Sequence, residues 1–309
     1  MRPVVGLVVC LLQARAWAQT PEPLPEPLRL EQVVQRARER RAEIAAARSR
    51  VDAAAQRPAI VSALEDPEVA PTVGHLPFNL MGVNASLQVA QRFPLSRIRA
   101  HRGRAAGFET ARLSADARRV ELDVELEAAA AFFMLHERRT LARVLAEQRT
   151  LAQQLVGSAL ARYSAGTGAQ ADVLRAEIEL ARLDAAIRAT AADIRGAEAM
   201  LIASLSLPAS TEVPTLAVDV PTTPAAEAPA VVEKALAARP ELAAGRAEIE
   251  RADAEIAVMR SMYLPMAMVR TGPSHTMVAG PGWMLMVGLS IPLWRGRINA
   301  GVAEAEAMA

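Results

Sequence analysis

The chain has 309 residues, with 35 Lys and Arg against 34 Asp and Glu, so its net charge of +1 gives no electrostatic reason to expect a nucleic acid as the partner. Aromatic residues make up only 3% of the chain, which favours close packing of alanine-rich helices over one thick globular core. The single cysteine, Cys10, lies near the N-terminus, so disulfides, thiol catalysis and thiolate metal sites are excluded from the rest of the chain.

The first 18 residues have the features of a secretory signal peptide. Arg2 supplies the positive start, an apolar run extends from Val4 to Leu12, and a small-x-small cleavage site ends at Ala18. The run is too short to cross a bilayer as a helix. We therefore predict a signal peptide at 1–18 and export of the mature chain.

A helix and two strands are predicted next along the chain. The helix runs from about Leu30 to Gln56, where Arg57-Pro58 is expected to stop it. Short strands are expected at about Glu68 to Gly74 and Asn84 to Arg92.

A very long helix is predicted from about Arg97 to Arg162, a stretch without proline that would be on the order of 100 Å long at 1.5 Å per residue. Its apolar residues recur at spacings of three, four and seven, which marks a seam for another helix. This seam consists of Leu141, Val144, Leu151 and Leu155.

The stretch "RYSAGTGAQADVLRAEIEL" interrupts the helical pattern with Gly166 and Gly168 and then restarts it. Glycines allow the backbone dihedrals of a tight reversal between helices. A second helix is expected from about Ala169 to Leu207, before Pro208. We therefore predict an antiparallel helical hairpin that turns within residues 164–170 and packs through the seam.

The chain contains an internal repeat. The segment "RPELAAGR" from Arg239 matches "RAEIAAAR" from Arg41 at five of eight positions, at an offset of 239 − 41 = 198. The same offset pairs Pro94-Leu95 with Pro292-Leu293, and prolines at junctions between elements are not chance matches of alanine-rich helices. The sequence thus contains two copies of a unit that consists of a helix, two strands and a helical hairpin.

This repeat defines the expected domain organisation. The first copy occupies 19–207, an extended linker 208–229, and the second copy 230–309. Only 309 − 292 = 17 residues follow Pro292, so we expect the second copy to be truncated after its strands. By analogy with the first copy, the natural product is expected to continue for roughly another hundred residues.

The segment "WMLMVGLSIPLW" alternates between an apolar face and a second face that carries Met284 and Met286. Met266 and Met268 share one face of the preceding strand. An apolar face on an exported chain favours strands of a membrane barrel, which must close to satisfy its backbone groups in lipid. Four strands cannot close a barrel alone, so oligomerisation is expected.

The sequence resembles the TolC-like outer-membrane efflux family over nearly all of the mature chain. The likeness lies in the duplicated unit and in the segments "QRFPL", "LSIPLW", "ARPEL" and "RYSAGTGAQADVLRAEIEL". The segment "QRFPLSRIRAHRGRAA" is similar to the strand exit of the heavy-metal branch of the family, although it lacks the glycine-lysine often found there.

The resemblance implies a mainly α fold with a small β part, in which a long antiparallel α-helical hairpin accompanies four membrane β-strands. It implies a homotrimer whose barrel lies in outer-membrane lipid and whose helices form a periplasmic tunnel. This passive duct for metal ions or drugs would dock on a periplasmic adaptor protein and an inner-membrane pump, without a cofactor. The truncated chain alone is not expected to seal such a tunnel.

The resemblance also assigns candidate sites. Those at the periplasmic tip and aperture are Arg162, Tyr163, Gly166, Gly168 and Asp172, and those in the barrel lumen are Met266, Met268, Met284 and Met286. Asp172 matches an aspartate that helps to hold the aperture closed, or it is simply favoured by the helix dipole. The methionines are either soft ligands for Cu(I) or flexible apolar fillers.

Other functional classes are less consistent with the sequence. No catalytic set, phosphate loop or metal-ligand cluster appears in it, so an enzyme is not expected. A periplasmic adaptor or coiled-coil scaffold would also have a signal peptide and a long hairpin, but an adaptor would flank one hairpin with β-rich domains. A nonfunctional fragment of the channel is the further alternative.

Overall fold

The structure, a computed structural model, describes residues 23–74, 84–218, 227–276 and 278–309. The predicted signal peptide at 1–18 and Cys10 lie outside these residues. None of the helices in the described part of the chain is both long and apolar enough to cross a membrane. Within the described residues the chain forms two compact units, one of 23–41 with 124–218 and one of 42–123 with 227–309.

The elements follow in chain order: β1 (Leu28–Arg29), α1 (Leu30–Arg40), α2 (Ala42–Ser62), β2 (Glu68–Gly74), β3 (Asn84–Pro94), α3 (Ile98–Ser164), α4 (Gln170–Ser204), β4 (Leu216–Ala217), α5 (Ala228–Ala238), α6 (Pro240–Ser261), β5 (Met266–Thr276), β6 (Gly280–Ser290) and α7 (Arg295–Met308).

The duplicated unit predicted from the sequence is confirmed. The elements α1, α2, β2 and β3 recur as α5, α6, β5 and β6, and the starts of α1 and α5 differ by 228 − 30 = 198 residues. In each copy one arginine in an extended conformation separates the two helices: Arg41 has φ −71° and ψ 122°, and Arg239 has φ −72° and ψ 115°. The single helix predicted over residues 30–56 is therefore wrong, because this break belongs to the repeat.

Pro58 does not stop a helix, contrary to the prediction. It lies inside α2, which continues to Ser62. Proline lacks the N–H that would bond to the carbonyl four residues earlier. The hydroxyl of Thr110 lies 3.0 Å from that carbonyl, on Ala54, and can donate to it instead. A tertiary contact thus satisfies the group that Pro58 leaves without its helical partner.

The antiparallel hairpin is confirmed. Helix α3 ends at Ser164 and α4 begins at Gln170, so the turn lies within the predicted range. Ion pairs join the two helices in antiparallel order: the α3 residue nearest the turn pairs with the α4 residue nearest the turn, and the two α3 residues farther from the turn pair with the two α4 residues farther from it. They are Arg149–Asp184 at 2.5 Å, Arg138–Asp193 at 3.7 Å and Arg139–Glu198 at 2.8 Å.

The predicted seam does not pack inside this hairpin. Leu141, Val144, Leu151 and Leu155 are 36% to 65% exposed in the chain. The residues that the first unit buries on α3 and α4 include Phe132, Leu135, Ala159, Val173, Ala176 and Leu201. Spacing fixes that residues share a helix face but not which neighbour covers it. The prediction was wrong because a different face of α3 meets α4.

The strands form two sheets. β1 and β4 pair in parallel, Leu28 with Leu216, so part of the expected linker is hydrogen-bonded to the start of the described chain. The other sheet has the strand order β2-β3-β5-β6, with all neighbours antiparallel. The four predicted strands are thus confirmed as one sheet, in which β3 of the first copy pairs with β5 of the second.

A network of charges holds α6 against α3 in the second unit. Arg112 lies 2.7 Å from Glu109 on its own helix and 3.5 Å from Glu248 on α6. Arg251 reciprocates, 2.5 Å from Glu248 on its own helix and 3.7 Å from Glu109 on α3. The two helices therefore contribute equivalent pairs to one network, which is only partly exposed and joins the second copy to the first.

Candidate functional sites: the hairpin turn and the four-stranded sheet

The hairpin turn begins with a complete Schellman motif at the end of α3. Gly166 has φ +73°, a left-handed conformation that costs any other residue a steric clash. The N–H of Thr167 donates to the carbonyl of Arg162 at 2.9 Å, and that of Gly166 donates to Tyr163 at 3.0 Å. The last carbonyls of α3 thus find partners, and the chain reverses.

Gly168 is needed for a different reason from Gly166. A Cβ at this position would lie 3.1 Å from both the Cβ of Arg162 and the backbone nitrogen of Tyr163. The turn therefore brings its own backbone against the end of α3, where a side chain would crowd it. Of the two glycines that the sequence singled out, Gly166 supplies the backbone conformation and Gly168 the close approach.

The polar candidates of the turn point to the surface. Tyr163 is 45% exposed, and Arg162 lies in the last turn of α3. Asp172 lies in the first turn of α4, where an acidic side chain suits the helix dipole, and pairs with Arg175 at 3.2 Å. The geometry leaves these side chains accessible to a docking protein or to another copy of the tip.

The four-stranded sheet has one mainly apolar face. Residues paired across antiparallel strands point to the same side. The register pairs Val69 with Val89, Val89 with Thr271, and Thr271 with Leu285, so the odd-numbered residues of the four strands share this face. Its large exposed members are Val69, Val73, Leu87, Val89, Phe93, Trp283, Leu285, Val287 and Leu289.

The four candidate methionines lie on the opposite face, as the strand alternation predicted. The register pairs Met266 with Ser290, Met268 with Gly288, Arg270 with Met286 and Gly272 with Met284. No two methionines are directly opposite each other, and the amide of Gln88 approaches the Sδ of Met284 at 3.6 Å.

The charges on this face oppose a cation site. Arg270 stands opposite Met286, and Arg92 stands opposite Met268 across the neighbouring pair of strands. The guanidinium of Arg270 repels a metal cation beside Met286, whereas the guanidinium of Arg92 is paired with Glu68 at 3.2 Å and Glu65 at 3.8 Å. Among the described residues, no group of three or more His, Cys, Asp or Glu side chains is arranged to hold a metal.

Sequence reasoning missed a cavity at the end of the sheet where the strands join the helices. Its lining includes the arginines Arg92, Arg99, Arg102 and Arg297. The signal was present in the repeat, because Arg99 and Arg297 correspond at the offset of 198 residues. Spacing alone did not show that two copies of one position, far apart in the chain, line one cavity.

A basic cluster extends from this cavity along the start of α3. His101 lies beside Arg104, whose guanidinium approaches its Nδ1 at 2.5 Å. Burial lowers the pKa of His101, and the charges of Arg104 and Arg97 lower it further. The imidazole is therefore biased to its neutral form, as expected in a positive field.

Comparison with solved structures identifies the fold. The outer-membrane channel OprN superimposes with a TM-score of 0.71 at 16% identity, over 90% of this chain and 68% of that one. The outer membrane protein VceC from the bacterial pathogen Vibrio cholerae gives 0.71 at 15%, over 90% and 72%. CusC, studied for transmembrane channel formation, gives 0.72 at 13%, over 90% and 69%.

No family model matches the sequence, and no curated protein sequence matches it either. The similarity is thus structural: it lies in the duplicated unit, the hairpin and the sheet rather than in sequence identity. The similar solved structures are TolC-family outer-membrane channels. The chain therefore has a TolC-like fold, mainly helical with one small antiparallel sheet joined to a long helical hairpin.

Proposed function

We propose that the chain is an outer-membrane channel subunit of a tripartite efflux system, a passive exit duct for metal ions or drugs. The observation that carries this proposal is the exposed apolar face of the sheet. On β6 alone, Trp283, Leu285, Val287 and Leu289 are each 61% to 71% exposed. A contiguous apolar surface of this kind is unfavourable in water and is stabilised in lipid. β6 has 11 residues, enough to cross a bilayer as a tilted strand.

The sheet supports assembly from several copies. Its edges are β2 and β6, and four strands are too few to close a barrel. Joining the β6 edge of one copy to the β2 edge of the next satisfies the backbone groups of both edges, as lipid requires. We propose a homotrimer in which the face of Met266, Met268, Met284 and Met286 lines the lumen.

The hairpin supports the periplasmic part of the proposal. Helix α3 has 67 residues, about 100 Å at 1.5 Å per residue, which is far longer than a bilayer is thick. We propose that its turn is the periplasmic end of the duct, where Arg162 and Tyr163 meet the adaptor and the pump. Asp172 is proposed to help to close the aperture at this end. The signal peptide at 1–18 is proposed to direct the export that this location needs.

A periplasmic adaptor or coiled-coil scaffold is not favoured. In this chain the strands come in pairs inside a duplicated helical unit, whereas an adaptor would flank its hairpin with β-rich domains. An adaptor would also have no use for a sheet with one mainly apolar exposed face.

The decisive experiment is expression of the complete protein in a Gram-negative host that lacks its own efflux channels. The expected result is a heat-sensitive trimer in the outer-membrane fraction that conducts ions in planar bilayers. A soluble monomer in the periplasm would contradict the proposal. Tolerance of the host to copper, zinc and cobalt on one hand, and to drugs on the other, then separates the two substrate classes.

A further inference from the structure

The face of the sheet that carries the candidate methionines has an excess of positive charge. The even-numbered strand residues share this face, and the charged ones that the structure describes are Glu68, Arg92 and Arg270. Arg92 lies 3.2 Å from Glu68 and 3.8 Å from Glu65, so acidic groups compensate its charge. The side chain of Arg270 makes no ion pair or hydrogen bond with another described residue. Its charge is therefore not compensated within the described chain.

The strand register shows why Arg270 has no counter-ion. Arg270 is directly opposite Ala90 on β3 and Met286 on β6. The diagonal positions on these two strands are Gln88, Arg92, Met284 and Gly288. None of these positions holds a carboxylate, and Glu68 on β2 lies two strands away from Arg270, about 10 Å at the usual strand spacing.

The cavity at the end of the sheet lies on the same face. Its volume is about 460 Å³. The strand residues that line it are all even-numbered: Arg92, Pro94, Met266 and Ser290. Its other charged residues are Glu65 and three more arginines, which are Arg99, Arg102 and Arg297. The positive charge of the face therefore continues from the strands to the starts of α3 and α7.

Two arginines of this cavity also lack a counter-ion. Glu65 is near Arg92, as described above, and the Nε of Arg99 donates to the carbonyl of Ser62 at 2.7 Å. The side chains of Arg102 and Arg297 make no ion pair or hydrogen bond with any residue in the described part of the chain. They come from α3 and α7, one from each copy of the repeat.

We propose that Arg270, Arg102 and Arg297 make the duct conduct anions in preference to cations. The inference rests on the proposed trimer, in which the even-numbered face lines the lumen. Symmetry then places the three copies of Arg270 at one level of the lumen. Rings of arginine or lysine side chains favour anions in pores, because they attract negative solutes and repel positive ones.

This preference narrows the class of substrate. A solute with a carboxylate, phosphate or sulfonate group is attracted to the three arginines, whereas a free metal cation is repelled. At the hairpin turn the carboxylate of Asp172 is paired with Arg175 at 3.2 Å, so it does not offset them with a free negative charge. The inference therefore favours anionic drugs over free metal cations as the solutes of the duct.

The test measures the reversal potential of the complete protein in planar bilayers under a gradient of potassium chloride. The parent is expected to be more permeable to chloride than to potassium. Arg270→Gln is expected to lower the ratio of the two permeabilities by about twofold or more, and so is the double substitution Arg102→Gln with Arg297→Gln. Arg188→Gln is the matched control, since this exposed arginine on α4 has the same charge and no ion pair among the described residues. The control should shift the ratio much less.

A single thiol sets the charge at this position after the protein has folded. The chain has no cysteine after Cys10, so Arg270→Cys places one reactive thiol in the mature protein. A thiol reagent with a sulfonate group is expected to lower the ratio of chloride to potassium permeability, and one with an ammonium group to raise it toward the parent value. No response to either reagent would overturn the position of residue 270 in the lumen.

The outcomes separate this inference from the proposed function. Equal shifts in Arg270→Gln and Arg188→Gln would overturn it in favour of the overall charge of the protein. A conducting trimer that prefers potassium to chloride would overturn it and leave the channel proposal standing. A protein that does not conduct ions would overturn the channel proposal, and this inference with it.

Discussion

The hydroxyl of Thr110 on α3 lies 3.0 Å from the carbonyl oxygen of Ala54 on α2, the carbonyl that Pro58 leaves without its helical donor. The same hydroxyl lies 3.0 Å from the carbonyl of Ala106, but that group has the N–H of Thr110 as its own helical donor. The contact across the two helices therefore compensates for a proline inside α2.

Replacing Thr110 with valine is expected to lower the free energy of unfolding by about 1 kcal/mol, because the Ala54 carbonyl loses its donor. Thr110→Ser keeps the hydroxyl and serves as the control. Pro58→Ala restores the helical N–H, so it is expected to remove most of the cost of Thr110→Val in a double-mutant cycle. Additive effects in urea unfolding would contradict this coupling.

Gly166→Ala is expected to destabilise the hairpin by about 1 kcal/mol, because alanine is strained at φ +73°. Gly157→Ala is the control, since that glycine lies inside α3 with open space around it and should gain up to about 1 kcal/mol in helix propensity. Urea unfolding followed by helical circular dichroism measures both. Stabilisation by both substitutions would show that the left-handed turn is not retained.

Asp172→Ala is expected to raise the conductance of the assembled channel and the entry of large antibiotics, if its carboxylate helps to close the aperture. Arg175→Gln separates this role from a local one, because the two side chains pair at 3.2 Å. A gating role predicts that loss of Asp172 acts more strongly than loss of Arg175. Equal effects of the two substitutions, or unchanged conductance in both variants, would contradict a gating role. Asp172 would then only stabilise the start of α4 through the helix dipole.

The exposed seam on α3 is expected to bind a neighbouring helix from outside the hairpin. Replacing both Leu151 and Leu155 with alanine should change the stability of the isolated chain by less than about 0.5 kcal/mol, while weakening the trimer. Leu135→Ala removes a side chain that is 0% exposed and should cost about 2 to 5 kcal/mol. Unfolding in detergent measures the first effect and native electrophoresis the second. A trimer unaffected by the double substitution would contradict this role.

The network between α3 and α6 should depend on pH. The hydrogen bond from Arg112 lowers the pKa of Glu109 below its ordinary value of 4.5, against the opposing effect of burial. The hydrogen bond from Arg251 does the same for Glu248, again against burial. Since both carboxyls have a lower pKa in the folded state, the network stabilises the fold above pH 4.5 and loses this effect as the pH falls through the lowered values.

The variant with glutamine at both Glu109 and Glu248 is therefore expected to be less stable than the parent chain at neutral pH. The difference should shrink below pH 4.5, where the parent carboxyls become protonated. Urea unfolding over a series of pH values measures it, with Glu250→Gln on the same helix as the control. A difference that is constant across pH would contradict the assignment.

The sequence by itself determined the repeat, the turn and the alternation of the strands. Each depends on local chemistry or on sequence identity between the two copies. Gly166 predicts a turn because glycine tolerates a left-handed backbone, and the prolines at 94 and 292 mark equivalent junctions of the repeat. Met284 and Met286 share a face because strand residues alternate with a period of two. These features could be predicted without knowing which elements pack against each other in the fold. Together with the family resemblance that they carry, they predicted the fold class, since a duplicated unit of helices and paired strands admits few architectures.

The tertiary structure alone decided which face of each element meets which neighbour. Leu151 and Leu155 share an exposed helix face. The ion pairs of Arg139 and Arg149 with residues of α4 lie on a different face of α3, and this face packs against α4. Pro58 has the local signal of a helix end, yet a hydroxyl 52 residues further along the chain, at Thr110, satisfies the carbonyl that it leaves open. The spacing of apolar residues along the chain does not specify packing partners or long-range hydrogen bonds. The free energy of such a contact depends on groups that are brought together only in the folded protein.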